Sequence, residues 1–378
     1  MKTTKKEQIV WIDLLRIVAC FLVVVAHSCD PFVGKTSSNY PEFVSGAILG
    51  SLVRNCVPLF VMITGVLLLP IKEDMITFYS KRTKRIIIPF VFWTITIPLF
   101  YYLYFKMGLG TPNVNIDPTG YTNDALVNKL YTWIFNFNYD TIPLWYVYML
   151  IGLYLFIPIF SSWIKNAQQQ EIKLVILFWL VTTCLPYIQL AIPFLGYQGN
   201  GGNMGVLGVC DWNAYGTFYY FSGFIGYLLL GFYLVKFPLK WSFSKTILYA
   251  SILFLIGYSI TLWGFLFTQK NYPENFANLE IIWSFTSINV LLMTFSIFIV
   301  FQRIRLNASK LLRTISNLTF GIFLSHFFFV QVAYDIIYPT IQIHPILQII
   351  ITAVVATITS GILIWLLSLN KFTKRFIM

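Results

Sequence analysis

Apolar residues run in blocks of about 18–25 along the whole chain, the length a helix needs to cross a hydrocarbon core about 30 Å thick. The blocks predict ten spanning helices near residues 9–29, 43–69, 86–105, 142–162, 172–193, 214–235, 246–267, 280–301, 315–338 and 346–369. They are too long and too uniformly apolar for the strands of an outer-membrane barrel, which alternate over about ten residues. The expected fold is therefore an all-α polytopic membrane protein, one integral-membrane domain over residues 1–378. The first block is not expected to be a cleaved signal peptide. It is long, it holds charges, and no small-x-small site follows it.

The polar interruptions inside these blocks carry the chemistry. Trp11–Ser28 is apolar enough to span, yet contains Asp13, Arg16 and His27. Eleven residues make almost three helical turns, so Arg16 and His27 fall within about 20° of one face and about 16 Å apart along the axis. Asp13 lies within about 60° of the same line, three residues before Arg16. A charged group at mid-membrane costs roughly 2.5–3.5 kcal/mol, so such residues face protein or a polar cavity. In the second block Arg54 and Asn55 precede Pro58 and Gly65. Arg54 demands a partner, while Pro58 and Gly65 fit either a packing kink or a ligand site. The ninth block brings Ser325 and His326 near mid-membrane and Asp335 toward its end. A lone histidine there is more often structural than catalytic.

Composition and charge sharpen this picture. Of 378 residues 58% are hydrophobic and 11% charged, against about 25% charged in soluble domains. The net charge of +12 is distributed by topology and gives no reason to expect nucleic acid. Outer segments hold Lys35, Lys106, Lys129 and Lys270; nearly all other Lys and Arg fall on the opposite side. By the positive-inside rule both termini are cytoplasmic. The inner segment before the third span reads KRTKR, with Arg82 and Arg85 three residues apart and hence neighbours on a helix. Its plain role is topological, and its sharper one a clamp for phosphate oxygens, which guanidinium forks suit.

Two outer segments are candidates for meeting a substrate. Met107–Thr141 is long for a loop and includes an aromatic stretch, Ala125–Phe137, fit to lie on the membrane surface. It leads to Trp145 and Tyr148, aromatics of the kind on which sugar rings stack. The second segment, Phe194–Asn213, holds six Gly between Gly196 and Asp211. Its Tyr197, Asp211 and Trp212 suit a sugar as well as they suit interfacial anchoring. His344, before a proline in the last outer loop, reads as a surface residue. The five cysteines show no zinc spacing and no paired pattern, so no metal is expected. Cys20, Cys56 and Cys184 read as core, while Cys29 and Cys210 can both face outward.

Taken together, the motifs resemble acyltransferase family 3, the bacterial membrane O-acyltransferases of cell-surface glycans. The resemblance rests on Arg16 and His27 ten residues apart, VPLFVMITGVLL, KRTKRIIIPFVFW, LWYVYMLIGLYLFIP, GYLLLGFYL and FGIFLSHFFF, in that order. Thr64 stands where the family commonly has Ser. The resemblance implies transfer of an acyl group, usually acetyl, from cytoplasmic acyl-coenzyme A to a hydroxyl of an extracytoplasmic glycan or its lipid-linked precursor. It also implies a bacterial cytoplasmic membrane location and a standalone type without a fused outer domain. His27 is then general base or acyl acceptor, Asp30 or Asp13 its charge partner, and Arg54 an oxyanion stabiliser. Arg16, Arg82, Arg85, Ser325 and His326 form the expected donor site, and Trp145, Tyr148, Asp211 and Trp212 the acceptor site. A glycan or solute transporter is the alternative that buried Arg and His also fit. The sequence shows neither a repeat nor paired broken helices, the usual transporter signature.

Overall fold

The structure, a computed structural model, describes residues 9–133, 138–191, 196, 215–273 and 281–378. Regular structure among the described residues is entirely helical: α1 (Val10–Val33), α2 (Tyr40–Leu52), α3 (Cys56–Leu68), α4 (Met75–Lys106), α5 (Asn123–Thr132), α6 (Trp145–Asn166), α7 (Gln169–Ala191), α8 (Ile225–Lys236), α9 (Phe243–Asn271), α10 (Ile288–Phe301), α11 (Lys310–Thr340), α12 (Pro345–Ser368) and α13 (Lys371–Ile377). Among these residues nine stretches are long and apolar enough to cross a membrane. The chain is an all-α polytopic membrane protein.

Two expected spans differ from the sequence pattern. The sixth is reduced to the 12 residues of α8 after a 3-10 turn at Gly216–Phe221, and 12 residues rise only about 18 Å. Gly216, which opens that turn, and Gly223, just before α8, take φ of 52° and 78°, left-handed backbone through which a right-handed α-helix cannot run. The second span, Tyr40–Leu68, is interrupted at 53–55. Pro58 becomes the third residue of α3, where its missing N–H breaks no helical bond.

The chain divides into two compact units. The first comprises Met1–Val53, Glu73–Leu155 and Arg305–Met378, the second Arg54–Lys72 and Phe156–Ile304.

In the first unit α1 packs against α2, α11 and α12. Leu15, Ala19, Val23 and Val24 of α1 are buried at helical spacing, and Val24 and Phe32 share a core with Tyr334 and Ile349. Short side chains start the helices: Asn39 accepts from the Glu42 amide, Asp74 from that of Thr77, and Ser309 from that of Leu312. At the far end of α1 an ion pair closes the corner, Lys35 lying 2.6 Å from Glu42 and 3.7 Å over the Tyr338 ring. The segment after α4 is anchored by a second pair. Asp140, fully buried, accepts from Lys129 at 2.6 Å and from the Tyr121 hydroxyl at 2.7 Å. Burial, then the Asp140 charge, push the Tyr121 phenol well above its usual range, so it stays a donor. Lys129→Ala would strand a buried carboxylate. It should cost about 3 kcal/mol, seen as a lower melting temperature in detergent, and Asp140→Asn in the same chain, which removes the charge and keeps an acceptor for Tyr121, should recover most of it.

The second unit pairs α3 with α8, α7 with α8, and α9 with α10. Glycines allow the first pairing: a Cβ on Gly65 would stand 2.0 Å from the Leu228 carbonyl oxygen, and one on Gly231 2.3 Å from that of Met62. Gly65 is therefore a packing residue. Asn289, fully buried, accepts from Tyr187 and donates to Thr261 and the Ile282 carbonyl.

Candidate functional site

The polar line along α1 is answered by one face of α11. Ser316 donates to Asp13 at 2.7 Å and accepts from Arg16 at 3.4 Å. One turn further Cys20 meets the Thr319 carbonyl at 3.5 Å. At the far end the His27 ring lies 5.3 Å from that of His326 and 5.1 Å from Phe327, edge to face. Positions 316, 319, 323 and 326 are spaced by three or four residues, so they form one stripe. Within the ninth block the sequence singled out Ser325, His326 and Asp335; the stripe and its pairing with α1 come from the structure.

The His27 end is the more reactive. His27 Nδ1 lies 2.8 Å from Asp30 Oδ2, with the side chains 17% and 36% exposed. The pair spans i to i+3 because α1 continues through Pro31 to Val33, where the sequence pattern suggested a loop beginning at Asp30. A carboxylate accepts the Nδ1 proton, which leaves the Nε2 lone pair of the neutral ring available as a base. His326 is fully buried, and its Nδ1 donates to the Phe323 carbonyl at 2.7 Å. Ser325, also buried, spends its hydroxyl proton on the Gly321 carbonyl of its own helix at 3.0 Å.

The segment after α4 is tied down over this end. Asn115 Nδ2 donates to the Asp30 carbonyl at 3.0 Å, and Asn113 Nδ2 donates to Gln331 Oε1 at 2.7 Å. Thr111 and Tyr104 donate to Asp335 at 2.5 and 3.0 Å. The Tyr139 ring lies 5.4 Å from Phe327, within electrostatic reach of Asp30. Sequence reasoning did not single out Asn113, Asn115 or Tyr139. Nothing in their spacing marks them, because they act through a fold of the segment.

At the opposite end of the line the cations converge. Arg16 is within electrostatic reach of Asp13, Arg85, Tyr154 and Tyr146; Tyr154 in turn is within reach of Arg82, Arg85 and Arg16. The Arg82 guanidinium stands 5.4 Å from the Phe78 ring and 6.0 Å from that of Tyr154. Arg82 Nε is buried without a hydrogen-bond partner among the described residues, and Arg85 is exposed. No carboxylate among those residues lies within ion-pair distance of Arg82 or Arg85.

The remaining candidates have the following surroundings. Arg54 belongs to the second unit, its guanidinium 3.7 Å over the Trp283 ring, a cation–π contact. Tyr148 is exposed and packs on Phe90 at 4.9 Å. Trp145 is half-buried beside Tyr146. It is Tyr146, buried 5.1 Å from Phe323, that turns toward the α11 stripe. Asp211, Trp212 and Tyr197 lie outside the described residues, as does Cys210.

Fold and site together define a multi-pass helical membrane protein with an imidazole–carboxylate pair at one end of a polar helix contact and arginines at the other. A family model described as an acyltransferase domain, that of acyltransferase family 3, matches residues 9–365. The chain belongs to that family and is a membrane acyltransferase. No curated protein and no solved structure matches it.

Proposed function

We propose that the protein is an O-acyltransferase moving an acyl group, acetyl first among candidates, from acyl-coenzyme A to a hydroxyl of a cell-surface glycan or its lipid-linked precursor. The observation that carries this reading is the His27–Asp30 pair at 2.8 Å, on the same helix face as Arg16. The proposed orientation puts Arg16, Arg82 and Arg85 on the cytoplasmic side of a bacterial inner membrane, where coenzyme A is found. Phosphate oxygens suit the guanidiniums of Arg82 and Arg85, which have no carboxylate within ion-pair distance among the described residues. The pantetheine arm, thin and mostly neutral, then follows α1 toward His27.

Asp30 holds the His27 ring by its Nδ1 proton. Nε2 takes the proton of the sugar hydroxyl as the sugar oxygen attacks the thioester carbonyl. When the tetrahedral intermediate collapses, the carbon–sulfur bond breaks and the thiolate leaves with its electron pair. The imidazolium returns its proton to that thiolate, so the products are the sugar ester and free coenzyme A. Every step uses Nε2, and Asp30 stabilises the transient positive ring.

Arg82→Ala with Arg85→Ala should raise the Michaelis constant for acetyl-coenzyme A about tenfold to thirtyfold, as expected for two partly exposed charge contacts worth about 0.7–1 kcal/mol each. The turnover number at saturation should change little. An unchanged Michaelis constant would remove these arginines from the donor site.

A further inference from the structure

We propose that His326 Nε2 accepts a hydrogen bond from the pantetheine amide N–H nearest the thioester, and so sets the acyl carbonyl against His27. The assignment rests on the acyl-transfer reading above and makes His326 a positioning residue.

His326 is fully buried, and its Nδ1 proton is committed to the Phe323 carbonyl. That bond fixes the tautomer and leaves Nε2 of the neutral ring as an acceptor. Nε2 is covered by protein and has no hydrogen-bond partner among the described residues. A buried acceptor in that state costs about 1–3 kcal/mol, and native structures tolerate few of them. Neighbouring side chains do not relieve it. Ser325 donates to its own helix, Phe323 and Phe327 have no polar hydrogens, and the Nδ1 proton of His27 faces Asp30. The two imidazoles, 5.3 Å apart, therefore both present lone pairs and cannot satisfy each other. A molecule serving both needs an electrophile or acidic proton for one and a plain donor for the other.

An acyl thioester of pantetheine has that form. The thioester itself offers no donor. Its nearest N–H lies across the sulfur and two methylenes, four bonds from the acyl carbon, or about 5 Å when extended, given bond lengths near 1.5 Å and somewhat more at sulfur. That span matches the separation of the two rings. With the amide held by His326, the acyl carbon lies beside the ring that activates the attacking hydroxyl.

The test is binding of acetyl-coenzyme A and of an analogue methylated on that amide nitrogen, measured by equilibrium binding to the purified full-length protein. Methylation should weaken binding to the wild type about fivefold to tenfold, the value of one neutral hydrogen bond. His326→Phe should bind acetyl-coenzyme A more weakly by a similar factor and show no further loss on methylation. His326→Asn, which keeps an acceptor oxygen, should recover part of the loss. Adenosine 3′,5′-bisphosphate, which lacks the arm, should bind wild type and variants alike, as the check that they fold. Equal binding of the two thioesters by the wild type would overturn the assignment while leaving the acyl-transfer reading intact. A loss on methylation that persists undiminished in His326→Phe would overturn it too. No binding of acetyl-coenzyme A by the wild type would overturn both.

Discussion

His27→Ala should reduce acyl transfer by about three orders of magnitude, with the protein still inserted and monodisperse. A positioned general base contributes roughly 10²–10⁴-fold, and among the described residues the neighbouring titratable groups, His326 and Asp30, are engaged otherwise. His326 is fully buried and, in the assignment above, its Nε2 is taken by the donor's amide, and Asp30 is the residue that orients His27. The structural cost should be small, because the His27 side chain is 17% exposed and its only side-chain hydrogen bond among the described residues is to Asp30, a partly exposed carboxylate. Asp30→Asn should lower turnover less than His27→Ala, since the base survives but loses its aligned Nδ1 partner. Ser28→Ala next door should be near neutral: its hydroxyl serves only the Val24 carbonyl of the same helix. Turnover, thermal melting and elution profile, measured side by side on the four proteins, separate loss of chemistry from loss of fold. Full activity in His27→Ala would remove the base from the mechanism.

Gly65→Ala should be strongly destabilising in the second unit. The new Cβ would stand 2.0 Å from the Leu228 carbonyl oxygen, and a backbone atom cannot swing aside as a side chain does. Helices α3 and α8 must separate, and Met62 against Gly231, 2.3 Å by the same measure, is disturbed with them. Overpacking of this kind costs about 3 kcal/mol or more, and close helix contact through glycine is what holds such pairs together in lipid. Gly152→Ala is the matched control. Nothing lies within 4 Å of its added Cβ, and alanine is favoured over glycine inside a helix by about 0.5–1 kcal/mol. The melting temperature in detergent should fall sharply for the first variant and hold or rise for the second.

Much of this molecule could be read from its sequence because a bilayer imposes a simple rule on helix length. The apolar blocks marked nine of the spans, most of them within about five residues of the observed helix ends, although α4 starts at Met75, well before the predicted 86. The 3.6-residue period put Arg16 and His27 on one face. The short α8 escaped the reading since hydropathy does not register the left-handed backbone of Gly216 and Gly223. The break at 53–55 was likewise hidden inside a continuous apolar run, although Pro58 marked its neighbourhood. Partners were less legible than elements. Arg54 announced a need for one, but sequence cannot show the Trp283 ring against it. Among the aromatics of the α6 start, helical spacing alone does not say which face is inward, and the structure turns Tyr146 in and leaves Tyr148 exposed. Asn113 and Asn115 act through loop geometry, which has no period to read.

Sided vesicles provide the decisive measurement. The purified protein is reconstituted with a glycan acceptor sealed inside, and acetyl-coenzyme A labelled in the acetyl group is supplied outside, with the orientation that exposes Arg82 and Arg85 selected. Label should appear on the enclosed glycan as an alkali-labile ester, and its appearance should require His27. Label that stays outside, or reaches the glycan equally well with His27→Ala, would contradict transfer along the Arg16–His27 line.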